Sequence, residues 1–355
     1  MAAQAPGDVS GPLENIRDGS ALLLWAYRAA PPQTAWFTGL GGSHRMTTKQ
    51  KTRAAVFAFT IAFLAPEAVS AQTRGTVNPK PLPTLAKPDD PATPAKELFG
   101  RQSMPAPVEA RVIGFYSKGC LAGAKALPIN GKTWLVMRLS RNRNWGHPSL
   151  VQFLERLAEK GPKVGWHGLL VGDLSQPRGG PMLTGHSSHQ VGLDADIWLT
   201  PMPDRELTRR EREEMLATVM VAADRKDIDP EVWTPAHTEI IKAAAKDPIV
   251  ERIFVNAAIK KALCREAGND RSWLPKVRPY YGHDYHFHVR IKCPTASPDC
   301  RPQEPVPEGE ACGKDLDYWF TDAILYPKPS PIPSKPKPPL TMADLPPACR
   351  QMLAP

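Results

Sequence analysis

The chain of 355 residues lacks the features that mark several common functional classes. Its 6 cysteines include no Cys-x-x-Cys pair, which argues against a cysteine zinc site. No basic helix, zinc finger or single-strand-binding motif accompanies the net charge of +9, so we expect no nucleic-acid partner. No apolar run is long enough to cross a bilayer, and no segment repeats. The positive charge is equally compatible with an anionic polymer such as a cell wall.

A targeting segment precedes the part of the chain that we expect to fold. Residues 46–71 begin with a basic stretch, continue with an apolar run from Ala54 to Leu64, and end in small residues. This is the layout of a secretory signal peptide cleaved after Ala71. We interpret residues 1–45, which lack hydrophobic periodicity, as a start-site extension upstream of Met46. The alternative for residues 54–64 is a buried helix of the folded protein.

Cysteine and proline usage divides the rest of the chain. All six cysteines follow residue 71, and an even number in an exported chain predicts three disulfides, with fifteen pairings open. Many of the 40 prolines are bunched in residues 72–107, predicted as an extended leader, and in residues 327–355, predicted as a tail. A disulfide from Cys349 would tie that tail back to the domain.

Residues 108–326 remain as one predicted domain, in which strand and helix patterns are interspersed. We expect an α+β fold with an antiparallel central sheet, flanking helices and disulfide staples. Strands are predicted at 111–115, 133–138, 164–172, 193–199, 252–255 and 286–292, and helices beginning at 147–148 and covering 206–225, 238–245 and 257–267. The charged run at 209–214 is interpreted as a solvated helix face.

Five of the nine histidines fall in two short stretches, residues 185–197 and 282–290. On the second stretch, His286 and His288 are two apart on a predicted strand and therefore point to one face. On the first, His189 precedes Asp196 by seven positions. Neutral imidazole is the commonest metal ligand, and a neighbouring carboxylate suits zinc. We therefore predict that both stretches close on one Zn²⁺ ion located on the sheet.

Three protein ligands would leave the fourth zinc position for water, as in a catalytic site. The pKa of such a water falls to about 7, so that hydroxide forms at neutral pH. A histidine beside the metal would then take or relay the proton.

These residues resemble a known family. The spacing of His189 and Asp196, with the distant pair His286 and His288, resembles the zinc signature of lysostaphin-type and D-Ala-D-Ala metallopeptidases. The longer segments 185–194 and 283–290 resemble the penicillin-insensitive murein endopeptidases of the Gram-negative periplasm, and the similarity runs from about residue 113 to 349.

The resemblance implies roles for individual residues. His189, Asp196 and His288 correspond to the zinc ligands and His286 to the catalytic base. His186 and His283 correspond to further histidines lining the site, the first counted with the metal centre and the second with the substrate.

The same resemblance implies two features away from the main site. The family can bind a further metal through an Asp and a His, which here correspond to Asp224 and Asp227, so an aspartate stands where the histidine is expected. It also implies the disulfide pairings Cys120–Cys349, Cys264–Cys312 and Cys293–Cys300.

The preferred functional prediction is a periplasmic zinc endopeptidase that hydrolyses D-alanyl-meso-diaminopimelyl cross-links of peptidoglycan and is insensitive to penicillin. The first alternative is a zinc D,D-carboxypeptidase that trims terminal D-alanine. The second is a non-catalytic wall-binding or zinc-storage protein that keeps the ligands. The sequence leaves open whether the chain forms a homodimer.

Overall fold

A computed structural model describes residues 74–327 and 337–354. The predicted start extension and signal peptide lie outside the described residues, as does part of the Pro-rich tail. The α-helices are α1 (Ala95–Phe99), α2 (Pro148–Ala158), α3 (Arg209–Glu214), α4 (Pro235–Lys246), α5 (Ala257–Glu266), α6 (Lys314–Asp317) and α7 (Asp322–Leu325). Short 3-10 helices lie at Leu139–Arg141, Gly161–Val164, Leu274–Lys276, Tyr318–Phe320, Met342–Asp344 and Pro347–Leu353. None of the helices in these two ranges is both long and apolar enough to cross a membrane.

The strands are β1 (Arg111–Phe115), β2 (Lys118–Ala122), β3 (Lys125–Ala126), β4 (Trp134–Val136), β5 (Trp145–Gly146), β6 (Leu169–Val171), β7 (Asp194–Trp198), β8 (Val250–Val255), β9 (Val277–Pro279) and β10 (His286–Ile291). Six of them form the central sheet in the order β4-β6-β7-β10-β8-β9. Two antiparallel pairs, β1 with β2 and β3 with β5, stand apart from it.

The central sheet is mixed, so the prediction of an antiparallel sheet is wrong at both edges. In the run β6-β7-β10-β8 each strand is antiparallel to its neighbour, but β4 pairs with β6 and β8 with β9 in parallel. The chain between each parallel pair contains a helix, α2 in the first case and α5 in the second. A helical crossover returns the chain in its original direction, which produces a parallel pair. The α+β class and flanking helices are as expected.

Strands β7 and β10 are central neighbours, and their register decides which side chains meet. His288 lies opposite Asp196, and Arg290 lies opposite Asp194. Side chains directly opposite in an antiparallel pair have Cβ atoms about 4.5–5.5 Å apart. The register therefore places a predicted ligand of one histidine stretch beside a predicted ligand of the other.

The two faces of the β7–β10 pair differ in chemistry. Ala195 and Ile197 of β7, with Phe287 and Val289 of β10, belong to the main hydrophobic core. Buried residues of α2, α4 and α5 join the same core, including Leu150, Phe153, Leu154 and Leu157 at the predicted helical spacing. Because side chains alternate along a strand, the aspartates and histidines fall on the opposite face.

The helix predicted at 206–225 is shorter than expected, and its charged run is not fully solvated. Thr208 and Glu211 form a capping box at its start, and α3 ends at Glu214. Arg212 is buried and donates to the carbonyls of Leu207, Ile129 and Val136. Arg138 donates to the carbonyl of Met215, one of the acceptors that a longer helix would use internally. Tertiary contacts therefore replace the helical hydrogen bonds beyond residue 214.

Three disulfides are present, and the pairings implied by the family resemblance are confirmed: Cys120–Cys349, Cys264–Cys312 and Cys293–Cys300. The first spans 229 positions and fixes the tail to β2. It lies in a second hydrophobic cluster with Ala95 and Phe99 of α1, a helix within the segment expected to be an extended leader. The tail is therefore part of the packed structure of the described residues.

Candidate metal centre and active site

His189 is fixed by hydrogen bonds at both its backbone and its ring. Its backbone has a φ of 65°, in the left-handed region, in the loop five residues before β7 begins. The backbone N–H donates to Asp194 Oδ2 at 3.1 Å, and ring Nδ1 lies 2.7 Å from the carbonyl oxygen of Leu174. A carbonyl oxygen only accepts, so Nδ1 carries the proton and Nε2 presents a lone pair.

His288 is fixed in the opposite tautomer. Its Nε2 donates to Asp194 Oδ1 at 2.9 Å, which leaves the lone pair on Nδ1. Nδ1 of His288 lies 3.2 Å from Nε2 of His189, and these two nitrogens lie 3.1 Å and 3.4 Å from Asp196 Oδ1. Two nitrogen lone pairs and a carboxylate oxygen thus converge, which is a donor set for a cation.

The spacing of these three atoms suits zinc. With metal–ligand distances of about 2.0–2.1 Å, the edge of a tetrahedron around zinc is about 3.3–3.4 Å. The observed separations are 3.1, 3.2 and 3.4 Å. Asp196 Oδ1 is also buried without a hydrogen-bond partner among the described residues, an unusual condition for a carboxylate oxygen. The residues present therefore fit a bound metal ion.

The pKa values of these three side chains also favour binding of a cation. Burial alone would raise the pKa of Asp196, but His189, His286 and His186 together bring it well below its usual range. Burial lowers the pKa of His189, which keeps that ring neutral and able to ligate. Burial also opposes charge on His288, yet Asp194 and Asp196 outweigh it and raise the pKa to about 9. In the protein without an ion, a proton on His288 would balance the negative charge that a metal ion would otherwise meet.

His186 lies at the edge of this cluster and has a different partner. Its Nε2 lies 3.0 Å from Asp173 Oδ2 and 3.6 Å from Asp196 Oδ2. Asp173 is almost fully buried and also accepts from Arg141 and Arg143. His186, His189 and Asp196 place potential ligand atoms within 4.8 Å of one another. Because Nε2 of His186 faces a second carboxylate, His186 is a weaker candidate for a metal ligand than His189 or His288.

His286 lies on the other side of Asp196. Its Nε2 is 3.6 Å from Asp196 Oδ1, and its buried Nδ1 has no hydrogen-bond partner within the described ranges. Burial lowers the pKa of His286 to about 4, so the ring is neutral near pH 7 and can accept a proton. His283 stacks next to it at 4.8 Å between ring centroids, and its Nδ1 donates to the carbonyl of Tyr281.

Asp224 and Asp227 are not brought to this cluster. Asp227 forms ion pairs with Lys261 and Arg265, each at 3.1 Å, and Asp224 accepts from the backbone of Lys226. In the described part of the chain, neither belongs to a group of three potential metal ligands. The carboxylate of Asp227 is instead neutralised by two side-chain cations.

Comparison with known proteins identifies the family. A family model described as penicillin-insensitive murein endopeptidase matches residues 112–354. The chain belongs to this family. A penicillin-insensitive murein endopeptidase of Haemophilus influenzae is 48% identical over 233 residues, covering 64% of this chain and 78% of the relative. Proteins of the same name from Klebsiella pneumoniae and Escherichia coli are 43% and 42% identical over 262 and 263 residues, each covering 74% of this chain and 91% of the relative.

Within this murein endopeptidase site, sequence reasoning missed Asp194. Asp194 Oδ1 accepts from His288 and, at 2.7 Å, from Arg290 Nε, while Oδ2 accepts from the backbone of His189. Burial would raise its pKa, but Arg290 and His288 outweigh burial and lower it. A carboxylate behind a ligating histidine fixes the tautomer and orientation of the ring. The alternation of Asp194 with Asp196 along the predicted strand is the sequence signal that places it on the same face as a predicted ligand.

Asp173 was also missed, and no pattern in the sequence singles it out. It lies two residues after the end of β6, at the edge of the site, and is the shared partner of His186, Arg141 and Arg143. Burial would raise its pKa, but its hydrogen bond with His186 and the two arginines outweigh that and lower it. Only the fold brings these four side chains together.

Proposed function

We propose that the chain is a zinc-dependent murein endopeptidase of the periplasm that hydrolyses D-alanyl-meso-diaminopimelyl cross-links of peptidoglycan. The observation that carries the proposal is the convergence of His189 Nε2, His288 Nδ1 and Asp196 Oδ1 at 3.1–3.4 Å, with the protons of both rings committed elsewhere. Family membership supports a peptidase acting on the cell wall, and the donor set supports the metal.

His189, Asp196 and His288 would hold the metal ion. When bound, zinc supplies Lewis-acid polarisation of a peptide carbonyl and lowers the pKa of water to about 7. The chain itself supplies orientation: Leu174 and Asp194 fix the two imidazoles, so that both ligand nitrogens are available before substrate arrives.

His286 would move the proton. Its Nε2 borders the donor cluster, and the neutral ring can take a proton from attacking water and pass it to the leaving amine. Such a step typically contributes about 10²–10⁴-fold to the rate. His186 and His283 flank this position, and we assign them to the rim of the metal centre and to the substrate side. Since no serine nucleophile takes part, β-lactams should not inhibit.

The predicted signal peptide is consistent with a periplasmic enzyme. We propose that residues 46–71 direct export and that the mature chain begins after Ala71. Amino-terminal sequencing of the exported protein would test this, and a mature chain starting before residue 71 would contradict it.

The enzymatic proposal is tested with cross-linked muropeptide dimers. The mature protein loaded with zinc should convert dimers to monomers, lose this activity in EDTA and regain it with added zinc. Conversion that persists in EDTA would refute metal dependence. Release of free D-alanine from a monomeric pentapeptide, without dimer cleavage, would instead indicate a carboxypeptidase. Binding to peptidoglycan without any cleavage would indicate a wall-binding protein.

Two substitutions separate the roles of the paired histidines on β10. His288→Ala should lose both bound zinc and activity, because it removes a ligand. His286→Ala should lose activity by about 10²-fold or more while keeping most of the zinc. The matched control is His167→Ala, since His167 is at the surface and outside the cluster. Equal loss of zinc in both β10 variants, measured by mass spectrometry, would refute the assignment of His286 as the base.

A further inference from the structure

A continuous row of aromatic rings leads outward from the active site. Neighbouring ring centroids lie 4.8–6.1 Å apart in the order His286, His283, Tyr280, Tyr281, Trp319 and Tyr318. The hydroxyl groups of Tyr281 and Tyr318 also lie 3.5 Å apart. We call Tyr280, Tyr281, Trp319 and Tyr318 the aromatic row. It begins next to the histidine that we assign as proton carrier.

The aromatic row is exposed, which a purely structural cluster would not require. Tyr280, Tyr281 and Tyr318 are 42%, 47% and 59% exposed, and they are three of the ten large apolar side chains exposed in the described residues. Contiguous exposed apolar surface beside a site is characteristic of ligand-binding grooves. Tyrosine and tryptophan rings suit this position because each combines an apolar face with a polar edge.

Two segments distant in sequence build the row and are held firmly to the site. Two hydrogen bonds fix the loop before β10. The backbone N–H of Asn256 donates to the carbonyl of His283, and Nδ1 of His283 donates to the carbonyl of Tyr281. The 3-10 turn Tyr318–Phe320 follows α6, which begins just after Cys312 in the disulfide to Cys264 of α5. The row is therefore anchored to the loop that leads into β10, the strand of His286 and His288, and through the disulfide to α5.

We infer that the aromatic row binds a sugar ring of the glycan strand to which the cleaved peptide is attached. The inference rests on the proposed function, since it assigns a part of the same substrate. The row contains no charged side chain, whereas the peptide stems of peptidoglycan carry carboxylate and ammonium groups. Lys261, the nearby cation over the ring of Phe320, is already paired with Asp227. An uncharged ligand with an apolar C–H face, such as a pyranose, fits this surface best.

The distance from the catalytic cluster to the outer rings of the row matches the length of a short peptide stem. An extended peptide advances about 3.3–3.6 Å per residue, so the three ring-to-ring steps from His286 to Tyr281 correspond to no more than about five residues. A short peptide stem that occupies the catalytic cluster with its cross-link therefore brings its sugar attachment point to the outer rings.

The experiment compares two substrates that differ only in sugar. One is the cross-linked muropeptide dimer with its disaccharides, and the other is the same cross-linked peptide after an amidase has removed them. Tyr281→Ala and Tyr318→Ala should lower kcat/KM between about 2-fold and 10-fold for the sugar-bearing dimer, as expected for the loss of one aromatic contact. Both variants should cleave the sugar-free dimer at the wild-type rate. Tyr326→Ala is the matched control, because Tyr326 is 55% exposed but outside the row.

A binding measurement keeps the inference separate from the proposed activity. Titration with peptide-free glycan oligosaccharides should change the tryptophan fluorescence of the zinc-free protein, and Trp319→Phe should abolish most of that change. Binding without cleavage of either dimer would support the row and refute the proposed function. Equal loss of activity on both dimers in the tyrosine variants, or an absence of fluorescence change with glycan, would overturn the sugar assignment.

Discussion

Two carboxylates on one face of β7, Asp194 and Asp196, lie two residues apart and differ in how fully they are paired. Asp194 accepts hydrogen bonds from His288, Arg290 and the backbone of His189, so both its oxygens have partners. Asp196 Oδ1 faces three histidine nitrogens at 3.1–3.6 Å and has no hydrogen-bond partner in the described part of the chain. The satisfied carboxylate holds the site in shape, and the unsatisfied one is available to a cation. Saturation of hydrogen bonds thus separates a supporting residue from a ligand.

The largest expected effect is at the unsatisfied carboxylate. Asp196→Asn replaces the oxygen proposed as a metal ligand by a neutral amide, so bound zinc and muropeptide cleavage should both fall to background. The metal-free variant should lose less stability than Asp194→Asn, because Asp196 pairs only with histidines among the described residues, whereas Asp194 also pairs with the buried Arg290. Metal content, dimer cleavage and thermal unfolding of the metal-free protein measure the three results. Retained zinc with retained cleavage would remove Asp196 from the ligand set.

A smaller effect on zinc and a larger effect on folding are expected at Asp194. Asp194→Asn leaves the proposed metal ligands in place but weakens the hydrogen bond that orients His288, and loss of such a supporting partner costs about 10–100-fold in metal affinity or activity. It also leaves Arg290 buried without its anion, for which breaking a buried ion pair costs about 3–5 kcal/mol. Zinc titration and denaturant unfolding of the metal-free protein check both parts.

The comparison would fail if the two variants behaved alike. Asp194→Glu is a useful companion, since it restores the charge and should recover part of the stability lost in Asp194→Asn. Greater destabilisation of the metal-free protein by Asp196→Asn than by Asp194→Asn would show that Asp196, and not Asp194, is the carboxylate that stabilises the fold.

The sequence predicted the members of this site better than their arrangement. The spacing of His189 and Asp196, and the alternation of His286 with His288, were sufficient to nominate them. Their contact depends on the register of β10 against β7, which places His288 opposite Asp196. The alternation of Asp194 with Asp196 indicates only that the two carboxylates share a face of the strand. The role of Asp194 follows only from the ring orientation of His288 and the position of Arg290.

The fold was predictable where local pattern and tertiary packing agree. The apolar spacing of Leu150, Phe153 and Leu157 identified α2, and alternation identified β7 and β10. The parallel edges of the sheet were missed because strand direction depends on how a crossover packs, and local alternation contains no such information. The helix at 206–225 was overextended for a related reason: Arg138 and Arg212 take up backbone carbonyls from distant segments.

Lys260 is a buried cation that has no ion-pair partner among residues 74–327 and 337–354, and it gives the smallest expected effect. It is fully buried on α5, with Nζ donating to the carbonyl of Leu274 at 2.7 Å. Burial, followed by repulsion from Arg278, lowers its pKa to about 7. The unfolded chain, with a lysine pKa of about 10.4, therefore binds more protons between these two values. Stability should rise with pH across this window and be lost as pH falls toward 7.

Lys260→Met should remove that slope and stabilise the protein near pH 7, since an apolar side chain of similar length carries no charge to bury, and the Leu274 carbonyl keeps the backbone N–H of Val277 as a donor. Urea unfolding at pH 7 and pH 9 measures the difference, with Lys261→Met, whose side chain is 45% exposed, as the matched control. A slope that survives in Lys260→Met would mean that Lys260 stays charged and solvated in the folded protein. In that case a buried charged group without an ion-pair partner would be tolerated in this fold without any function. The assignment of Asp196 as a metal ligand would then depend only on the convergence of its oxygen with the two histidine nitrogens.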